Sequence, residues 1–192
     1  MKKGEYLNKL LKSDKSILTS KDIAMIWQDT DKNTFKVRLN YYLKKGDLFK
    51  IRRGIYSKNK NFDRLELATR IFTPSYVSFE TVLAKEGLIF QYYERIDVAT
   101  YLTRELKIED KIFLFRKVKN DILTNSLGIN ITNYTSIATK ERAFLDTLYI
   151  DGNYYFDNLR SLDWDKVFKL LPIYKNESMS KKVKELYATR YI

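Results

Sequence analysis

Residues 32–57 constrain the fold of this chain more than any other stretch, because a helical pattern is followed at once by a glycine and a short basic hairpin. Between Lys32 and Lys60 there are ten Lys or Arg but one acid, Asp47. Gly46 stands where a helix is expected to end. A helix followed by a basic hairpin is typical of a winged helix-turn-helix that faces DNA.

The helical part is predicted to begin at Asn33 or Thr34 and to have one apolar face. At about 100° per residue, four side chains fall on the core side: Phe35, Leu39, Tyr42 and Leu43. The opposite side consists of Asn33, Val37, Asn40, Tyr41 and Lys44. The flanks consist of Thr34, Lys36, Arg38 and Lys45. Asn can pair with an adenine edge and Val with a thymine methyl, whereas Lys and Arg suit phosphates. An ordinary amphipathic surface helix is the alternative.

The hairpin after Gly46 is predicted from alternating residues that meet at a tight turn, Arg53-Gly54. Arg52 and Arg53 form its tip, and two adjacent arginines there can grip phosphate or enter a minor groove. A plain exposed hairpin is the competing interpretation.

The charge distribution favours a nucleic-acid partner for the first third of the chain. The net charge is +12, and residues 1–60 hold 16 Lys and Arg against 6 Asp and Glu, while the remaining 132 hold 20 against 18. A generally lysine-rich composition would spread the excess evenly. The candidate DNA-binding residues are Lys32, Asn33, Thr34, Lys36, Val37, Arg38, Asn40, Tyr41, Lys44, Lys50, Arg52 and Arg53.

The whole chain is predicted to be α+β, with a winged helix-turn-helix over residues 1–60 and a mixed α/β domain with a helical tail over residues 61–192. The polar segment 57–62 is the expected linker. In the second domain the strongest strand pattern is Ile112–Val118, and Thr139 is expected to cap a helix that runs to Tyr149. Three short helices are expected in the tail: Tyr154–Leu162, Trp164–Leu171 and Lys181–Tyr187.

Four blocks of the chain resemble AbiEi-type antitoxins, the DNA-binding partners in type IV toxin–antitoxin systems. The blocks follow one another in the family's order and lie within residues 17–149: GDLFKIRRGIYS (46–57), TPSYVSFETVLAKEGLI (73–89), RIDVATYLTR (95–104) and TSIATKERAFLDTLY (135–149). The resemblance implies a winged-helix domain that represses its own operon and a C-terminal domain that antagonises a nucleotidyltransferase toxin, with no stable complex required.

On this basis the expected partner is an operator in double-stranded DNA, with an inverted repeat and a homodimer on the DNA as one arrangement. No long heptad seam indicates a dimer interface, so two monomers bound side by side remain an alternative. Within the block 135–149 we expect Lys140, Glu141 and Arg142 either to form an antitoxin surface or to pack and pair within the domain. An exposed pair of Arg142 with Asp146 would contribute only about 0.3–0.5 kcal/mol.

The composition argues against an enzyme. The chain contains neither His nor Cys, which excludes Ser-His-Asp and Cys-His catalysis and the usual zinc sites. The acids Glu80, Asp97 and Glu141 could imitate a magnesium-dependent nuclease, but no acid-x-Lys follows on the strand Ile112–Val118. We therefore expect no catalytic residues, metal or cofactor.

Two further functions stay open. A stand-alone winged-helix regulator would use the second domain to sense a ligand or to oligomerise. An RNA-binding protein would stack bases on exposed aromatic side chains, for which the candidates are Tyr41, Tyr56, Tyr92 and Tyr93. The start of the sequence is basic but lacks an apolar signal region, and no apolar run is long enough to cross a membrane. The expected location is the cytoplasm.

Overall fold

The computed structural model describes residues 3–189, so that Met1 and Lys2 of the basic start lie outside the described residues. The chain has an α+β fold. It divides into two compact units, Met1–Ile71 and Phe72–Ile192. We call them the first and the second unit and describe each by itself.

The first unit combines helices with a small antiparallel sheet. Its elements are α1 (Lys3–Leu11), β1 (Ile17–Thr19), α2 (Ser20–Trp27), α3 (Lys32–Lys45), β2 (Phe49–Arg52), β3 (Ile55–Ser57) and α4 (Arg64–Ile71). The strand order is β1-β3-β2, and both pairings are antiparallel. The sheet therefore joins the hairpin β2–β3 to the strand that precedes α2.

Local caps fix where α2 and α3 begin and end. Thr19 and Asp22 form a capping box at the start of α2. The cap of α3 is Asp31, whose carboxylate accepts from the backbone N–H of Thr34 at 2.6 Å, so the helix begins one residue before the predicted Asn33. Gly46 ends α3 as predicted, with φ +80°, a conformation that favours glycine.

The core of the first unit is built around Trp27. Its indole N–H donates to the carbonyl oxygen of Tyr6 at 3.0 Å, and its ring contacts Phe35 and Tyr42 of α3. Leu39 is buried beside them. The predicted inward face of α3 is confirmed, and its opposite face is therefore left to solvent.

The first unit extends past the predicted boundary at residue 60. The carboxylate of Glu66 in α4 accepts hydrogen bonds from the Ser16 hydroxyl and from the backbone N–H of Ile17. Because these bonds tie α4 to the start of β1, α4 belongs to the first unit. The division lies between Ile71 and Phe72, and the polar segment 57–62 lies within the first unit.

The second unit contains a six-stranded mixed sheet in the order β6-β7-β5-β4-β9-β8. Its strands are β4 (Ser75–Val77), β5 (Ile96–Thr100), β6 (Arg104–Ile108), β7 (Lys111–Lys117), β8 (Ile129–Thr132) and β9 (Thr135–Ala138). Its helices are α5 (Phe79–Lys85), α6 (Asn120–Leu123), α7 (Lys140–Ile150), α8 (Trp164–Leu170) and α9 (Glu177–Thr189). Helices α5 and α7 pack against each other, and α8 packs on α7.

The predicted strand Ile112–Val118 and the helix capped by Thr139 are confirmed as β7 and α7. The predicted helix Tyr154–Leu162 is wrong: this segment consists of turns and irregular chain. Backbone bonds from Asp157 and Asn158 to the carbonyl oxygen of Leu88 hold it in place.

Across residues 3–189, none of the helices combines the length and the apolar character needed to cross a membrane.

Candidate nucleic-acid interface

The outward face of α3 is open to solvent along its whole length. Its predicted members are all exposed: Asn33, Val37, Asn40, Tyr41 and Lys44. Among the described residues, neither amide side chain of Asn33 or Asn40 has a hydrogen-bond partner. Both amides are therefore available to a ligand, as a base-reading side chain must be.

Five exposed cations of α3 and the hairpin have no acid partner among residues 3–189. They are Lys32, Lys36, Lys44, Lys50 and Arg53, and all are exposed. Their positive charge is not compensated by ion pairs within the fold. Unpaired exposed cations attract polyanions, and their contacts with phosphates release counterions.

Arg38 does not belong with these cations, although the sequence placed it among the DNA-binding residues. Its guanidinium forms an ion pair with Asp29, and its Cζ lies 3.6 Å from the ring centroid of Tyr6. Only 17% of the side chain is exposed. Arg38 thus joins α3 to α1 and to the turn after α2. Lys45, on the other flank, pairs with Asp47 at 3.2 Å.

The hairpin β2–β3 turns at Arg53-Gly54 as predicted, and Gly54 has φ +82°. The register shifts between Lys50 and Arg52, so the strand bends just before its tip. Arg53 at the tip is exposed, whereas Arg52 is half-buried. Within the described part of the chain the Nη1 atom of Arg52 is buried with no hydrogen-bond partner. Of the two tip arginines, Arg53 is the accessible one.

An apolar depression lies beside the outward face of α3. It has a volume of about 640 Å³ and is lined by Tyr6, Asn33, Thr34, Val37 and Tyr41, among others. Val37 is 72% exposed there. A face that contacted only phosphates would gain nothing from an exposed valine, so this surface suits a ligand with both anionic and apolar groups.

Of the two alternatives for the start of α7, packing and pairing within the domain describes Glu141 and Arg142, and an antitoxin surface does not. Arg142 is completely buried, and Glu141 is 3% exposed, where it accepts from the backbone N–H of Asp163. Lys140 alone is partly exposed. Side chains that are inaccessible cannot form an interaction surface.

Arg142 instead organises the interior of the second unit. It pairs with Asp146 at 3.3 Å, and both side chains are completely buried. Its guanidinium donates to the Tyr76 hydroxyl at 2.9 Å and to the carbonyl oxygens of Ile122 and Leu127 at 2.6 and 2.8 Å. Because every branch of the guanidinium has a partner, the fold can bury this charge.

The carboxylate of Asp146 is equally well satisfied. It accepts from the hydroxyls of Ser78 and Tyr174, each at 2.7 Å. The Ser78 hydroxyl is therefore used here, and it makes no capping hydrogen bond to α5. Burial raises the pKa of Asp146, while Arg142 and the hydroxyl donors act in the opposite direction.

A second cluster of charges in this unit consists of Glu80, Asp97, Arg95 and Arg116. Arg116 Nη2 lies 2.8 Å from Glu80 and 3.1 Å from Asp97, and Arg95 Nε lies 3.1 Å from Asp97. Burial, followed by the charge of Glu80, raises the pKa of Asp97 to about 6. Glu80 and Asp97, which the sequence offered as imitations of a nuclease's acids, pair here with Arg116. Arg116 lies two residues before the end of the strand pattern IFLFRKV (112–118). An arginine inside an apolar strand pattern was the sequence signal for this cluster, and the prediction did not use it.

The aromatic candidates for base stacking differ in accessibility. Tyr56 is buried in the core of the first unit and cannot stack on a base. Tyr41 is exposed, as is Tyr92 of the second unit, while Tyr93 is half-buried. Among residues 3–189 there is also no group of three or more acids close enough to hold a metal ion.

Comparison with models of known protein families gives no match, and comparison with curated proteins gives none either. The resemblance to AbiEi-type antitoxins therefore stays a prediction.

Proposed function

We propose that the first unit is a winged helix-turn-helix that binds double-stranded DNA. The observation that carries this proposal is the outward face of α3, where two Asn amides and the neighbouring Lys side chains are exposed and have no partner among residues 3–189. The arrangement of α2, a short turn and α3, followed by the hairpin β2–β3, supports it. In such a protein α3 is the recognition helix and the hairpin is the wing.

In this mode α3 enters the major groove, with Asn33 and Asn40 directed at base edges. Lys32, Lys36 and Lys44 contact the phosphates on either side and fix the register of the helix. Lys50 and Arg53 of the wing contact phosphates or an adjacent minor groove. Arg38 holds α3 in place and makes no contact with DNA.

We further propose that the protein represses its own operon and antagonises a nucleotidyltransferase toxin. The resemblance of the four sequence blocks supports this second step, and the second unit is then the part that opposes the toxin. Its residues Glu141 and Arg142 act in folding, so the opposing surface lies elsewhere on that unit. A pair of copies on an inverted repeat is the arrangement that we propose on DNA.

The DNA-binding step is tested with the full chain and two fluorescent duplexes, one from directly upstream of its gene and one shuffled version. Titrations at about 50 and 200 mM salt separate the electrostatic part of binding from the specific part. We expect the upstream duplex to bind about 10³-fold more tightly or better, and both affinities to fall steeply with salt. Equal and weak binding of the two duplexes would contradict the proposal.

The antitoxin step has its own test. The gene is expressed together with any nucleotidyltransferase encoded beside it, and growth is measured. We expect the toxin alone to arrest growth and the pair to grow normally. Continued arrest in the pair, or the absence of such a neighbouring gene, would contradict the antitoxin proposal and leave DNA binding standing. Failure of the two proteins to co-purify would not contradict it.

A further inference from the structure

The spacing of three exposed side chains on α3 indicates which bases the helix reads. Asn33, Val37 and Asn40 lie within an arc of about 60° at 100° per residue. From Asn33 to Asn40 the helix rises about 10 Å at 1.5 Å per residue. At about 3.4 Å per base pair this rise spans roughly three steps of a duplex, so the three side chains meet neighbouring base pairs.

Each of the three side chains has a preferred base partner. An Asn amide can accept from adenine N6 and donate to adenine N7, a pair of bonds that guanine cannot offer. Neither the Asn33 nor the Asn40 side-chain amide has a hydrogen-bond partner within the described part of the chain. A valine has no polar atom, and the one apolar group on the floor of the major groove is the thymine 5-methyl.

The surroundings of Val37 favour nucleic acid over a protein as the occupant of its apolar depression. Val37 is 72% exposed, and Lys36 and Lys44 lie on the same helix without acid partners among residues 3–189. A protein that docked there would have to bring apolar groups and its own acids together. A thymine in a duplex supplies the methyl group and the flanking phosphates at once.

We propose that α3 reads three A·T pairs within four base pairs, in which Val37 contacts the methyl group of a thymine between two adenines that Asn33 and Asn40 hydrogen-bond. This inference rests on the proposed DNA binding and adds the chemical class of the operator. The core of each half-site is then four base pairs, of which the three contacted ones are A·T. Val37 acts as a specificity residue, and the lysines act on any sequence.

The test begins with duplexes selected from a random library by the full-length protein. Each thymine of the selected duplex is then replaced, one at a time, by deoxyuridine, which removes the methyl group alone. We expect one replacement to weaken binding about fourfold, the effect of one buried methyl group. The Val37→Ala variant should bind duplexes with thymine or uracil at that position nearly equally. Its response to replacement at the other positions should be as in the parent.

Two further arms complete the experiment. Replacing single adenines by 7-deazaadenine removes the N7 acceptor, and Asn33→Ala and Asn40→Ala should each cancel the response at one of two positions about three steps apart. The matched control is Ile131→Ala, which removes an equally exposed aliphatic side chain (76%) from the second unit and should change none of the responses.

The outcomes separate this inference from the proposed function. A selected sequence with G·C pairs at its centre, or a uracil response that survives in Val37→Ala, overturns the A·T readout and leaves DNA binding intact. A selection that enriches no sequence overturns both. A Val37→Ala variant that loses affinity equally at every position shows that Val37 packs against the DNA without reading it.

Discussion

Each unit contains a group of basic residues, and the two groups lie in different surroundings. In the first unit, Lys36, Lys44 and Arg53 are exposed and have no acid partner among residues 3–189. In the second unit, Arg142 is completely buried against Asp146, and Arg116 pairs with both Glu80 and Asp97. The first set of cations is thus open to solvent, whereas the second set is paired with acids inside its own unit.

Net charge alone therefore does not locate a binding surface. Residues 61–192 are nearly neutral because acids almost match the cations in number. Of the two cations at the start of α7, Arg142 is interior and Lys140 is partly exposed. An unpaired cation raises the free energy of a fold slightly through repulsion. An anion that binds to a face of the protein removes this repulsion, which would explain several exposed cations on one face.

The largest expected effect comes from breaking the buried pair. We expect Arg142→Met to lower the free energy of unfolding of the second unit by about 3–5 kcal/mol, because Asp146 is left buried without its cation. Urea unfolding combined with hydrogen exchange of the α7 amides measures this loss. The control Arg104→Ala removes an exposed arginine of the same unit and should cost less than about 0.5 kcal/mol. Similar losses in the free energy of unfolding of the two variants would contradict the buried role of Arg142.

The next effect concerns pH. The pKa of Asp97 rises from 3.8 to about 6 on folding, so between these values the folded protein retains a proton that the unfolded chain releases. Asp97 therefore lowers the free energy of unfolding as the pH rises from about 4 to 6, by about 3 kcal/mol in all. Urea unfolding at several pH values measures this fall in the free energy of unfolding. Asp97→Asn should remove the fall, whereas Asp165→Asn, at an exposed acid, should leave it in place. An unchanged pH profile in Asp97→Asn would contradict the assignment.

A smaller effect distinguishes Arg38 from its neighbours on α3. Arg38→Ala loses the ion pair with Asp29 and the contact with Tyr6, and we expect the first unit to lose about 2 kcal/mol of stability. The salt dependence of DNA binding should stay as it is. Lys36→Ala should show the reverse, with unchanged stability and a flatter salt dependence. A flatter salt dependence of DNA affinity in Arg38→Ala would show that Arg38 contacts DNA.

Local patterns predicted α3 and its two faces because helical phase depends only on residues within the helix. They could not place Arg38, since its partners Asp29 and Tyr6 come from other elements. Arg142 was ambiguous for the same reason: an i,i+4 pair has the same sequence whether it is exposed or buried, and Tyr76 lies 66 residues away.

Two errors in the fold have similar causes. Strand β6 (Arg104–Ile108) escaped prediction because it is an edge strand with mostly exposed side chains, in which only Leu106 and Ile108 alternate with charged residues, too short a pattern to indicate a strand. The boundary between the units was placed too early because Glu66 reaches back to Ser16 and Ile17. The polar composition of segment 57–62 resembled a linker, but long-range bonds decide which unit a segment joins.

We propose that the exposed cations of the first unit bind DNA phosphates and that those of the second unit do not. Lys50→Ala with Arg53→Ala removes two charges from the wing, and Lys117→Ala with Lys119→Ala removes two exposed charges from the second unit. The logarithm of DNA affinity is measured against the logarithm of salt concentration for both double variants and the parent. We expect the slope to fall by about two units in the wing variant and to stay unchanged in the other. Equal slopes in the two double variants would contradict the account.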